Sequence, residues 1–412
     1  MVLTFRTPAA SRLPSLTGLR FLAAMLVFLY HGSLMKIAVF NPFADAQWAT
    51  AYNHLFNVGG RVGVSFFFVL SGFVLTWSAR STDTTSAFLR RRLLKIYPNH
   101  IVTWAVTMML LVAPGTRAAV WLPNLFLLHA WVPEDDILRG VNAVSWSLGS
   151  ELVFYMLFPL ILPAVQRIRA ARLWWWAAGT VAALLAAQGL ITLLTPDAPV
   201  APGWPLPELR FWLAYFFPPL RLFEFVLGML MARILMTGQW IRLGLLPAFL
   251  IMAAGYAAAR VVPFQYSLNA VTIVPIALLI TAVAATDVAD APTLLASRPM
   301  VWLGEVSFAF YMVHLEVLYG AQALLHGQAF ATPVALGVIA AEFGTALLLA
   351  WMLYALVERP IMRRWAGSAR PRTARAGQPR RRRQPCLSLR LPWPESTPAS
   401  PPSPPHASCW PR

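Results

Sequence analysis

Apolar runs of close to 20 residues recur along the chain, separated by short polar or Pro/Gly-rich breaks. A helix needs about 20 mostly apolar residues to cross the hydrocarbon core of a bilayer. Ten runs meet that requirement, at residues 14–35, 58–80, 97–114, 143–165, 173–195, 211–233, 243–261, 268–288, 300–324 and 330–357. They predict an all-α polytopic membrane protein with about ten transmembrane helices. The fourteen residues Ala118–Trp131 are also apolar, but they are short and hold Pro123, so they predict a re-entrant or interfacial helix instead. The first run has no basic stretch before it and no small-residue cleavage site after it, and is read as a retained helix. The expected organisation is a cytoplasmic N-terminus at 1–13, a membrane domain at 14–360 and a basic, Pro/Ser-rich disordered tail at 361–412.

Composition agrees with this pattern. The 412 residues are 58% hydrophobic and only 12% charged. The net charge of +17 does not argue for nucleic acid, because twelve arginines fall between Arg359 and the C-terminus, including the block Arg380–Arg383. A basic segment next to a membrane span is a cytoplasmic orientation signal that meets anionic lipid. With ten crossings and a cytoplasmic N-terminus, Arg90–Lys95, Arg167–Arg172, Arg233, Arg242, Arg298 and the tail all fall inside, so both termini are expected in the cytoplasm of a multi-pass cell-membrane protein. The loops at 36–57 and 196–210 then lie outside, with one Lys and one Arg between them. The two cysteines, Cys386 and Cys409, lie in the tail, so no thiol nucleophile or Cys metal site is expected in the membrane part. The histidines form no metal-ligand spacing.

Ionisable side chains inside a bilayer cost several kcal/mol and are the strongest functional signal in such a chain. Arg20 and His31 are eleven residues apart on the first helix, which puts them on one face and roughly 16 Å apart along the axis. Either they serve two ends of one elongated ligand, or Arg20 snorkels to the cytoplasmic surface and His31 is satisfied at the far one. Arg90, Arg91, Arg92 and Lys95 form a basic knot at the cytoplasmic end of the third span, which suits phosphate binding or simply anchors the helix. Ser147, Glu151 and Tyr155 form a polar stripe at i, i+4, i+8. On the ten-span topology Glu151 is expected at the depth of His31, as its orienting carboxylate; the bland alternative is a protonated Glu bonded to a neighbouring helix. Arg221, Glu224 and Gly228 read as a structural ion pair with a close-packing glycine. Ser307, Tyr311 and His314 share a face that lines an acceptor pocket or supports packing, and Leu356–Pro360 is expected to end the last helix.

Five blocks in order resemble the integral membrane acyltransferase 3 family: LTGLRFLAAMLVFLYHG, GRVGVSFFFVLSGFVL, RRRLLKIYP, VSWSLGSELVFYMLFP and LGEVSFAFYMVHLEVLY. The resemblance spans about Leu13 to Pro360. Its Arg-x10-His pattern falls on Arg20 and His31, its basic R-x-x-R pattern on Arg92 and Lys95, and its W-S-L-x-x-E block on Trp146, Ser147, Leu148 and Glu151. Lys95 and Thr17 depart from the family pattern, which commonly has Arg and Asp there. The opening LPSLTGLRFLAA is most similar to the actinobacterial branch that places acetyl or propionyl on a macrolide ring, or isovaleryl on its mycarose sugar.

The resemblance implies an acyl-CoA-dependent O-acyltransferase of antibiotic biosynthesis, with acyl-CoA as co-substrate and no permanently bound cofactor or metal. The implied partners are acyl-CoA, a macrolide or sugar hydroxyl and the lipid bilayer. The expected catalytic group is His31, Glu151 and Arg20. Donor binding is expected at Arg92, Lys95, Arg91 and Arg90, and substrate contact at Ser147, Tyr155, Tyr311 and His314. O-acetylation of a cell-surface polysaccharide is the alternative within the family. A small-molecule exporter is the alternative outside it, since intramembrane Arg, His and Glu also mark transport paths.

Overall fold

The computed structural model describes residues 12–35, 40–80, 83–201 and 203–365. Arg6, Lys36, the cysteines and the arginine block of the tail lie outside the described residues. Every regular element among the described residues is helical: α1 Pro14–Gly32, α2 Ala46–Phe56, α3 Gly59–Trp77, α4 Thr85–Leu110, α5 Ala118–Leu125, the single turn α6 Asp135–Leu138, α7 Trp146–Arg167 and α8 Leu173–Leu194. The second half contains the single turn α9 Glu208–Phe211, α10 Pro218–Met236, α11 Leu245–Ala258, the turn α12 Phe264–Ser267, α13 Ile273–Val288, α14 Arg298–Leu324, α15 Thr332–Leu353 and α16 Arg359–Trp365.

Each of the ten apolar runs coincides with a helix, but the helices are not equivalent. Six helical stretches are long and apolar enough to cross a bilayer: Pro14–Gly32, Ala46–Trp77, Ala143–Arg167, Ala170–Leu194, Arg298–Leu324 and Thr332–Trp365. The others fall short for physical reasons. Lys95, Asn99 and His100 make α4 polar, α10 carries Arg221, Glu224 and Arg233, and α11 and α13 are short. The run Ala118–Trp131 is not one helix: α5 stops at Leu125, two residues after Pro123, and only a three-residue turn follows at His129–Trp131.

Two expectations need correction. The loop expected at 36–57 contains α2, whose first amides are capped by the Asp45 carboxylate, with Gln47 and Trp48 N–H donating at 2.8 and 3.1 Å. The last helix does not end at Leu356–Pro360. A π-turn at Tyr354–Glu358 carries it straight into α16, and the helix runs on through Pro360 to Trp365.

Helix α3 is the hub, packed against α1, α10 and α13; α14 lies on α1, and α7 lies on α10. Helices α8, α11 and α15 pack outside these, on α10, α13 and α14 respectively, and are apolar all round. The α3–α10 contact needs two glycines. A Cβ at Gly228 would lie 1.9 Å from the Val69 carbonyl oxygen, and one at Gly72 would lie 1.9 Å from that of Phe225. Beside this contact Arg221 and Glu224 pair at 3.0 Å, both fully buried, with Ser65 Oγ donating to Glu224 at 3.2 Å. They are a packed ion pair next to a close-contact glycine, as the sequence suggests. The N-terminus of α1 is held by Asp287 of α13, whose carboxylate accepts from Ser15 and Leu16 N–H at 3.0 and 3.2 Å.

Candidate active site

Two cavities lie between α1, α3, α7 and α14. The first, about 160 Å³, is lined by Arg20 of α1, Arg92 and Lys95 of α4, and Ser147, Glu151 and Tyr155 of α7, with aromatic residues of α3 and α14 between them. The second, about 110 Å³, is lined by His31 of α1, Arg61 of α3 and several aromatic side chains. Val64 and Tyr311 belong to both walls, so the two spaces abut. The Tyr311 hydroxyl donates to the Val144 carbonyl at 3.1 Å and lies 3.0 Å from Ser147 Oγ, which pins the partition to the first turn of α7.

The helical stripe of α7 holds as drawn from spacing. Ser147, Glu151 and Tyr155 all line the first cavity, and the Tyr155 hydroxyl donates to Glu151 Oε2 at 2.9 Å. The expected meeting of Glu151 with His31 does not occur. Glu151 faces the cavity of Arg20, and His31 faces the other one. The reason is the way α7 begins: a 3-10 turn, Ala143–Ser145, leads into it, and Trp146 of its first turn faces the His31 cavity. One turn further on, Glu151 has passed to the far side of the partition.

The partner of His31 is His314 of α14, with Nε2 of His314 3.0 Å from Nδ1 of His31. The neighbouring carbonyls fix the proton positions. His314 Nδ1 lies 2.8 Å from the Tyr311 carbonyl oxygen and His31 Nδ1 lies 3.0 Å from that of Val27. A carbonyl only accepts, so each Nδ1 carries the proton when the rings are neutral. His314 Nε2 then accepts from His31 Nδ1–H, and the lone pair of His31 sits on Nε2. His314 is fully buried, and His31 is half-buried at the wall of the second cavity.

The basic knot divides. Arg92 and Lys95 line the first cavity, with the Arg92 guanidinium 5.6 Å from the Phe88 ring centroid. Arg91 instead pairs with Asp83 at 2.7 Å, and Arg90 is exposed; neither lines the cavity. Two residues escaped the sequence reading. Glu358, 1% exposed, forms an ion pair with Lys95 and accepts from Asn99 Nδ2 at 2.6 Å. Its signal was a carboxylate in an otherwise apolar helix end, taken only as a stop. Arg61 lies in the block GRVGVSFFFVLSGFVL, to which sequence reasoning assigns no site residue, although it is a buried charge on α3. Among the described residues, no group of three or more His, Cys, Asp or Glu is arranged to hold a metal ion.

Helices long and apolar enough to cross a membrane thus enclose a His31–His314 pair beside a cation-lined cavity. Comparison identifies the class: a family model described as an acyltransferase domain matches residues 13–355, and the chain belongs to the acyltransferase 3 family of membrane proteins. Among curated relatives, Acyltransferase MdmB of Streptomyces mycarofaciens is 43% identical over 370 residues, covering 86% of this chain and 93% of the relative. Exopolysaccharide production protein ExoZ of Rhizobium meliloti (strain 1021) is 27% identical over 345 residues, covering 78% and 94%. No solved structure matches the chain significantly.

Proposed function

We propose that this acyltransferase moves a short acyl group from acyl-CoA to a hydroxyl of a macrolide or of its mycarose sugar, across a membrane domain of ten crossings with both termini cytoplasmic. The observation that carries the chemistry is the His314–His31 pair, which leaves His31 Nε2 unprotonated on a residue that lines one cavity, abutting the cationic one. In this reading the cavity of Arg20, Arg92 and Lys95 is the donor side. Its cations suit phosphate and thioester carbonyl oxygens, and the Glu151 carboxylate suits the amide N–H groups of a pantetheine arm. The cavity of His31 is the acceptor side. His31 Nε2 takes the proton from the acceptor hydroxyl, and the hydroxyl oxygen attacks the thioester carbonyl carbon. The carbon–sulfur bond breaks, the acyl ester forms, and coenzyme A leaves as thiolate. His314 keeps the proton of His31 on Nδ1 throughout, as a positioning residue. The resemblance of the opening LPSLTGLRFLAA to the macrolide-acylating branch supports the macrolide acceptor. The relative whose name refers to exopolysaccharide supports a sugar polymer as the second reading.

The test is product analysis. Membranes carrying the protein are incubated with isotopically labelled acyl-CoA and either a macrolide or a polysaccharide fragment, and the products are weighed by mass spectrometry. The proposal expects the label as an ester on the macrolide. Label on the polysaccharide alone would replace the acceptor, and label on neither with intact protein would overturn the reading.

A further inference from the structure

Among the described residues, no carboxylate balances the charge of Arg61. It is 7% exposed, donates from Nη2 to the Asn57 carbonyl at 3.2 Å, and lies 4.7 Å from the centroid of the Phe264 ring. Its Nε has no hydrogen-bond partner. Among the described residues it forms no ion pair, and no carboxylate lines the cavity it faces. The second arginine of that cavity, Arg139, is neutralised by Asp135 one turn away. The contrast with Arg221 is direct, since that buried guanidinium sits on Glu224. A buried charge without a counter-ion is costly, and an aromatic ring offsets only part of the loss. Oxygen acceptors on a ligand would complete the rest.

The walls describe the ligand. Trp146, Trp204 and Tyr215 stand around the same space as His31 and Arg61, and Trp146 and Tyr215 lie 5.1 Å apart by ring centroids. Rings of this kind take the apolar faces of a sugar or lactone, while a cation takes its carbonyl or ether oxygens. A protonated amine brought into the same space meets Arg61 with no carboxylate to shield it.

We infer that Arg61 is the acceptor-binding cation of the His31 cavity, selecting an uncharged, oxygen-rich ring compound and rejecting one with an amine beside the reacting hydroxyl. The inference rests on the reading of this cavity as the acceptor side. It goes further in assigning the recognising residue and the charge class of the acceptor.

The experiment uses the full-length protein in detergent, acetyl-CoA as donor, a neutral macrolide lactone with a free hydroxyl, and the same lactone carrying an amine next to that hydroxyl. Arg61→Met is expected to raise the acceptor KM at least ~10-fold, the range of a lost hydrogen bond to a charged group, with the donor KM unchanged. Arg61→Lys is expected to fall between Met and wild type. Wild type is expected to show an acceptor KM for the amine at least ~10-fold above that for the neutral lactone. This last arm needs no variant, so it decides even if Arg61→Met does not fold. Equal acceptor KM values for the two lactones, or an Arg61→Met acceptor KM within twofold of wild type, would overturn the inference while leaving the acyltransfer reading intact. If wild type turns over neither lactone, the function reading fails instead. Quenching of tryptophan fluorescence by the two lactones then judges the inference alone: preference for the neutral one supports it, and equal binding contradicts it.

Discussion

The two abutting cavities share α1, α3, α7 and α14 and are chemically opposite. One gathers three cations around a carboxylate, with Lys95 already paired to Glu358. The other is aromatic, has an unpaired Arg61 and a histidine relay, and has no carboxylate on its wall. Helix α1 serves both, giving Arg20 to the first and His31 to the second, three turns along. Under the proposed function, this separation along one helix holds two reactants whose chemistry differs: a charged donor tail and an uncharged acceptor. Tyr311 and Val64 mark the plane where the two cavities meet.

The largest effect that bears on this division belongs to the imidazole. His31→Ala is expected to lower kcat by about 10²–10⁴-fold, the usual worth of a positioned base, and initial-rate assays with labelled acyl-CoA measure it. His314→Ala comes next. It is expected to lower kcat about 10-fold or more through loss of the bond that orients the His31 ring, with both KM values near wild type. An equal rise of both KM values with unchanged kcat would assign His314 to packing alone. On the cationic side, Arg92→Ala is expected to raise the donor KM by roughly tenfold, from loss of a charge-assisted contact, and to flatten its dependence on salt. A change in acceptor KM alone would reverse the assignment of the two cavities.

The smallest effect sharpens the cationic side. Lys95→Met leaves Glu358 buried with only Asn99 for a partner, whereas Glu358→Gln leaves Lys95 partly exposed, its side chain 27% accessible. Thermal unfolding in detergent is therefore expected to show Lys95→Met as the less stable of the two, since stranding the more deeply buried charge costs more. The reverse order would place the ion pair's value in the lysine.

Much of this site was readable from spacing alone. A helical period is enough to place Ser147, Glu151 and Tyr155 on one stripe and Arg20 and His31 on one face. Depth was not readable in the same way. The position of Glu151 against His31 depends on where the chain turns into α7, and one turn of error carries the carboxylate across the partition. The link from His31 to His314 joins positions 283 residues apart, which no local pattern encodes. Glu358 was misread because E-R-P resembles a helix stop, while the π-turn before it keeps the helix going and aims the carboxylate at Lys95. Arg61 was missed because an apolar run with one charge reads as a span, and only its surroundings show that the charge lacks a counter-ion. The long helices followed from apolar run length; α2, whose short half-polar face gave no span signal, the single turns α6, α9 and α12, and α16 did not.

The central claim is that donor binding and proton removal belong to different cavities. The most direct measurement is on His31→Ala in detergent: the dissociation constant of acyl-CoA together with single-turnover transfer to a macrolide hydroxyl. The account predicts a donor dissociation constant within about twofold of wild type and single-turnover transfer slowed by about 10²-fold or more. Full transfer by His31→Ala, or loss of donor binding in a folded His31→Ala protein, would contradict it.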